Sequence, residues 1–95
     1  MRGHRYRITV ERLDGDGAPL VFEAVNHDEI IGVAGRIRDS GQFADDDSAH
    51  AFAVGLKLFG ETLLAHRQQP PFAGLLPAFK QFMQTLKAQA TRPGG

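Results

Sequence analysis

Two stretches of period-two alternation do most to limit what this chain can fold into. In HRYRITVERL (His4 to Leu13), Tyr6, Ile8 and Val10 fall on one side and Arg5, Arg7, Thr9 and Glu11 on the other. That is the pattern of a strand with one apolar and one wet face. Leu13 breaks the parity and marks a bulge or the strand's end. DGDGAP follows, dense in turn formers. LVFEAVN (Leu20 to Asn26) then alternates again, with Leu20, Phe22 and Ala24 on one face and Val21, Glu23 and Val25 on the other. Two such runs around a Gly/Asp/Pro segment predict an antiparallel hairpin. The rest of the chain has helical spacing, so the fold class is α+β in the order β-β-α-α-α. A lone hairpin is marginal and leaves both edges open. Pairing with a second copy would make a four-stranded sheet across a dimer.

NHDEIIGVAGRIRDSG carries helix signals at both ends. Asn26 reads as an N-cap with Glu29 completing a capping box, and Gly41 stands at the C′ position. Ile30, Val33, Ala34 and Ile37 form the stripe to be buried. Asp45, Asp46, Asp47 and Ser48 offer caps for the next helix, which runs to about Arg67 before Pro70-Pro71 stops it. Phe72 to Leu76 reads as a connector. Pro77 suits the first turn of a last helix, whose apolar face is Phe79, Phe82, Met83 and Leu86. Residues 1–90 are read as one domain and residues 91–95 as a disordered polar tail.

The central helix is apolar on more of its circumference than a surface helix needs. At about 100° per residue, Ala49, Phe52, Ala53, Leu56, Phe59, Gly60, Leu63 and Leu64 share one broad face. Ala51, Val54, Leu58 and Ala65 lie nearly opposite with Gly55 at their edge, and His50, Lys57 and Glu61 make a narrow polar strip between the two faces. Such a helix expects cover on both sides. The last helix and the hairpin would provide it within one chain. Alternatively Ala51, Val54, Gly55 and Leu58 form a homodimer interface, with the small residues permitting close approach.

Ninety-five residues make one small core, for which an oligomer interface is a common supplement. Eleven basic and eleven acidic residues give zero formal net charge, which removes the simplest case for a nucleic-acid partner. The absence of cysteine excludes disulfides and thiolate chemistry and fits a cytoplasmic setting. No apolar run approaches the length of a membrane span, and the start lacks the apolar core of a signal peptide.

GHRYRITVE at the start and AFAVGLKLFGE in the central helix resemble a small bacterial family known only as a domain of unknown function, of the 3861 type. The similarity runs from about His4 to Leu86. It implies a stand-alone bacterial α+β protein and transfers no activity, substrate or catalytic residue.

Chemical motifs are absent or fail. Asp14 and Asp16 open like a calcium loop, but Ala18 and Val25 occupy positions that require ligands. Asp46 or Asp47 with His50 reads as a helix cap beside a histidine before it reads as a metal or general-base pair. His4, His27 and His66 form no ligand spacing, and Ser40 and Ser48 lie in no nucleophile motif. No catalytic residue, metal or cofactor is assigned. Arg5 and Arg7, with Arg12 near, are the best anion-binding candidates, although no exposed aromatic accompanies them to stack a base and the same face reads first as solvated charge paired with Glu11 and Glu23. The expected function is a non-enzymatic, homodimeric binding module whose partner is a protein or a small anionic ligand. The alternative is a nucleic-acid or anion binder using the strand-one arginines.

Overall fold

A computed structural model describes residues 3–90. Strand β1 (His4–Val10) pairs antiparallel with β2 (Leu20–Asn26), and three helices follow: α1 (Ile30–Asp39), α2 (Asp46–Ala65) and α3 (Phe72–Ala90). The register sets Tyr6 opposite Ala24, Ile8 opposite Phe22 and Val10 opposite Leu20. Directly opposed residues share a face, so the apolar sets of both strands combine into one surface. Arg5, Arg7 and Thr9 oppose Val25, Glu23 and Val21 on the other face. These two strands make up the whole sheet among the described residues.

The buried core lies between α1 and α2. Ala34, Ile37, Ala49 and Ala53 meet there, with Val33, Phe43 and Phe52 packed around them. Three alanines in this set let the helix backbones approach closely, and the lost volume is restored at the rim by aromatic rings. Phe43 and Phe52 lie 5.2 Å apart. Helix α3 leans on α2 through Phe82 against Phe52 and Phe79 against Phe59, with ring centroids 6.3 and 6.1 Å apart. Gly60 eases the second contact, since a Cβ there would stand 3.3 Å from the Phe79 ring and push it back slightly.

Three local readings of the sequence hold in place. Ile30, Ala34 and Ile37 are buried along α1. Gly41 takes φ +77° just after that helix, a conformation costly for any residue with a Cβ. Asp45 caps α2 by accepting from the Ser48 amide at 2.7 Å.

Two boundaries differ from the sequence reading. The N-cap of α1 is Glu29, whose carboxylate accepts from the Ile31 and Gly32 amides at 3.1 and 2.9 Å. Asn26 is drawn away from capping by contacts with α2. Helix α3 starts at Phe72, so Phe72 to Leu76 is helix and Pro77 lies inside it. The earlier start is anchored by the Ala73 amide bonding the Gln69 carbonyl at 2.9 Å and by Phe72 packing on His66 at 5.5 Å. The tail read at residues 91–95 lies outside the described residues.

The chain is more open than its mass requires. Its radius of gyration is 15.1 Å, whereas a compact domain of this length has about 12 Å. It exposes 7215 Å², whereas a folded monomer of 10.4 kDa exposes about 5,400 Å². Allowing the residues outside 3–90 the full area of unfolded chain still leaves a surplus of roughly 1,000 Å².

Candidate interaction surface

The exposed surface includes a run of large apolar side chains on the hairpin. Val10, Leu20, Val21, Phe22 and Val25 are all exposed, Leu20 at 61% and Phe22 at 40%. The face expected to be covered is covered only near its base, where Tyr6, Ile8 and Ala24 are half-buried. Toward the turn the strands run past the helices, and Val10 and Leu20 face solvent. Strand β2 is also apolar on its second face, where Val21 and Val25 flank Glu23.

Polar contacts fix the base of the hairpin. Asn26, the one buried polar residue among those described, donates from Nδ2 to the Lys57 carbonyl of α2 at 2.8 Å. Its Oδ1 accepts from the Asp28 amide at 3.0 Å. Lys57 Nζ donates to Asp28 Oδ2 at 2.7 Å, and His27 Nδ1 lies 2.8 Å from Glu61 Oε2. From β1, the Tyr6 hydroxyl donates to Glu29 Oε2 and accepts from the Ile30 amide, both at 2.8 Å.

These contacts set the charge states at the junction. The Tyr6 hydroxyl, followed by the two helix amides, holds the Glu29 carboxyl below its ordinary range. Partial burial, reinforced by the hydrogen bond to Glu29, pushes the Tyr6 hydroxyl up. The Lys57 hydrogen bond holds Asp28 low. Every side-chain donor and acceptor buried here is satisfied among the described residues.

The sequence reading missed this junction. Its only local signal was the polar strip His50, Lys57 and Glu61 on an otherwise apolar helix. Two of those three residues face the hairpin base, and the polar run Asn26 to Glu29 provides their partners.

The arginine candidates do not converge. Arg5 is paired with Glu23 at 2.8 Å and Arg12 with Asp14 at 2.9 Å. Arg7 has no partner among the described residues. The shallow hollow of about 210 Å³ beside Arg5 and Arg7 also contains Glu23, whose charge disfavours an anion. It falls below the roughly 300 Å³ at which ligand pockets begin. No group of three or more histidine or carboxylate side chains able to hold a metal occurs among the described residues.

The four interface candidates on α2 lie on a different side of that helix from Phe52 and Phe59, whose rings meet α3. Ala51 and Gly55 are exposed, and Val54 and Leu58 are half-buried. A Cβ added at Gly55 would meet nothing within 4 Å.

An α+β domain of one hairpin and three helices, with exposed apolar side chains on both faces of the hairpin, is the class these features define. A family model described as a "Domain of Unknown Function with solved-structure structure (DUF3861)" matches residues 4–88. The chain belongs to that family. It is also similar to a protein of unknown function from Pectobacterium atrosepticum SCRI1043, known from a crystal structure. The two are 33% identical with a TM-score of 0.84, and the match covers 92% of this chain and 99% of the other. No curated protein matches the chain. No helix among the described residues is long and apolar enough to cross a membrane.

Proposed function

We propose that this protein is a non-enzymatic interaction module that works as a homodimer and binds a further protein partner. The observation that carries the reading is the surplus of exposed surface together with the exposed apolar side chains of the hairpin. Six of the large apolar side chains left exposed, Val10, Leu13, Leu20, Val21, Phe22 and Val25, belong to this one hairpin, and clustered exposed apolar residues mark interaction sites. A stable interface takes about 800 Å² from each partner, close to the roughly 1,000 Å² by which this chain exceeds a compact monomer. A bacterial cytoplasm is the setting we propose, supported by the cysteine-free sequence and the family resemblance.

Sedimentation equilibrium at micromolar concentration tests the dimer. The expected mass is twice that of the chain, and replacing Leu20 and Phe22 together by lysine is expected to halve it. A monomer at all concentrations refutes the homodimer.

Anion binding by strand one receives less support, because Arg5 and Arg12 are already paired with carboxylates.

A further inference from the structure

We infer that β2 is an inner strand of a sheet completed by a second copy of this chain, in the order β1-β2-β2-β1, with the two-fold axis passing at Phe22. The inference rests on the homodimer proposed above and adds which edge meets the partner and in which register.

The two strands of the hairpin differ in the way that edge and inner strands differ. Strand β1 carries Arg5, Arg7 and Thr9 on its second face, and charged side chains are a common protection of a free edge. Strand β2 carries Val21 and Val25 there on either side of a single charge, Glu23, as well as Leu20, Phe22 and Ala24 on the first face. A strand predominantly apolar on both faces is typical of the interior of a covered sheet. In this chain it is solvent-exposed, Val21 at 51% and Val25 at 45%.

Charge and geometry then select the register. An antiparallel pairing of β2 with its copy about Glu23 would oppose two like carboxylates, which is destabilising. Each Glu23 is already committed to its own Arg5. A centre at Ala24 would bring the partner strand onto Asn26, which is buried against Lys57. A centre at Val21 leaves the ladder short, since Pro19 precedes the strand and donates no amide.

A centre at Phe22 gives a ladder from Leu20 to Ala24. Phe22 then opposes its own copy, Leu20 opposes the partner's Ala24, and Val21 opposes the partner's Glu23. Because directly opposed residues share a face, the apolar faces of both copies lie on one side of the joint sheet. That is the side on which Tyr6 reaches the start of α1.

The chain contains no cysteine, so single-cysteine variants report this geometry directly. With Phe22→Cys, the two Cα atoms are expected about 4.5–5.5 Å apart, within disulfide range. With Ile8→Cys they are three strand spacings apart, about 14 Å, beyond that range. Mild oxidation should therefore convert most of Phe22→Cys to a covalent dimer and leave Ile8→Cys uncrosslinked.

Amide exchange on the unsubstituted protein provides a readout that does not depend on how Phe22→Cys folds. From concentrations at which sedimentation shows monomer to those at which it shows dimer, β2 amides should slow at least tenfold while free-edge amides of β1 do not change. Crosslinking through Ile8→Cys, or slowing confined to β1, overturns the edge assignment. A dimer by sedimentation without slowing in β2 overturns it too, while sparing the dimer itself. A monomer by sedimentation overturns both.

Discussion

Asn26 offers the sharpest test of how the hairpin is attached to the helices. It is 2% exposed, and its side chain makes two hydrogen bonds that join the end of β2 to α2 and shape the turn into α1. Replacing it by alanine removes both bonds, at about 1 kcal/mol each. It also leaves the Asp28 amide without its acceptor. The expected loss is about 2–3 kcal/mol, or a fall in melting temperature of roughly 10–20 °C for a chain of this length.

Asn26→Asp separates hydrogen bonding from shape. It keeps the acceptor for the Asp28 amide but turns a carboxylate oxygen toward the Lys57 carbonyl, where only a donor fits. At pH 7 it should cost more than alanine, about 3 kcal/mol or more, because a buried charge faces a lone pair. Burial raises the folded-state pKa of the new carboxyl above its unfolded value of about 4. The variant therefore regains stability relative to the parent as pH falls through that raised value and the protonated acid donates to the carbonyl. Urea unfolding followed by circular dichroism at pH 7 and pH 5, at one fixed protein concentration, measures both effects. An alanine cost below about 1 kcal/mol, or an aspartate deficit that does not shrink toward pH 5, refutes the role assigned to Asn26.

Three further outcomes follow from the geometry. Tyr6→Phe removes the hydroxyl between Glu29 and the Ile30 amide and should lower the urea midpoint in the same assay. Because the folded-state pKa of Tyr6 is raised, its contribution is present below the ordinary tyrosine value of about 10 and is lost as pH rises through the folded value. That alkaline decline should be missing in the variant. The carboxyls of Asp28, Glu29 and Asp45 are all held low, so their contribution is present above about pH 4 and is lost as pH falls through their depressed values. Urea midpoints should stay level from pH 7 to pH 5 and drop below pH 4, and Glu29→Gln should flatten the drop. Gly55→Ala fills open space in a helix interior and should stabilise by up to about 1 kcal/mol without changing the sedimented mass. Gly60→Ala should gain less, because its Cβ meets Phe79. Loss of dimer in Gly55→Ala would move the interface to the α2 strip.

The parts of the fold legible in the sequence are those that local periodicity decides. The hairpin faces followed from parity alone, because a register slip of one residue would have reversed every side chain. The buried stripe of α1 and the Asp45 cap likewise depend on neighbours a few residues away. Asn26 shows where such reasoning stops. Its position before Asp28-Glu29 has the form of a capping box, yet its amide is claimed by Lys57, 31 residues later in the chain. Glu29 takes the cap instead, oriented by a hydroxyl from β1. Pro77 has a similar cause, since a local rule placed it at a helix start but packing of Phe72 on His66 begins the helix earlier. The candidate site was half legible. An open hairpin edge could be read from the strand count, and Glu23 could be read as a partner for the strand-one arginines, whereas the pairing of Arg12 with Asp14 depends on turn geometry.

The way the hairpin is held has a consequence for what it can do. Hydrophobic burial is non-directional, so a sheet fixed mainly by apolar contact could settle at several angles over its helices. Here the apolar side chains near the turn contribute little to the attachment, because Val10, Leu20 and Phe22 remain exposed. The attachment is made by Asn26, Asp28 and His27 to α2 and by Tyr6 to α1, through hydrogen bonds of defined direction. Directional bonds at the base fix where the far end points and leave its apolar surface free. A chain that used that surface for its own core would have nothing left to offer a partner. Placing polar residues at the base and apolar residues beyond it is therefore the division expected of a strand pair that serves an interface, and it accounts for an aromatic residue at the centre of an open strand.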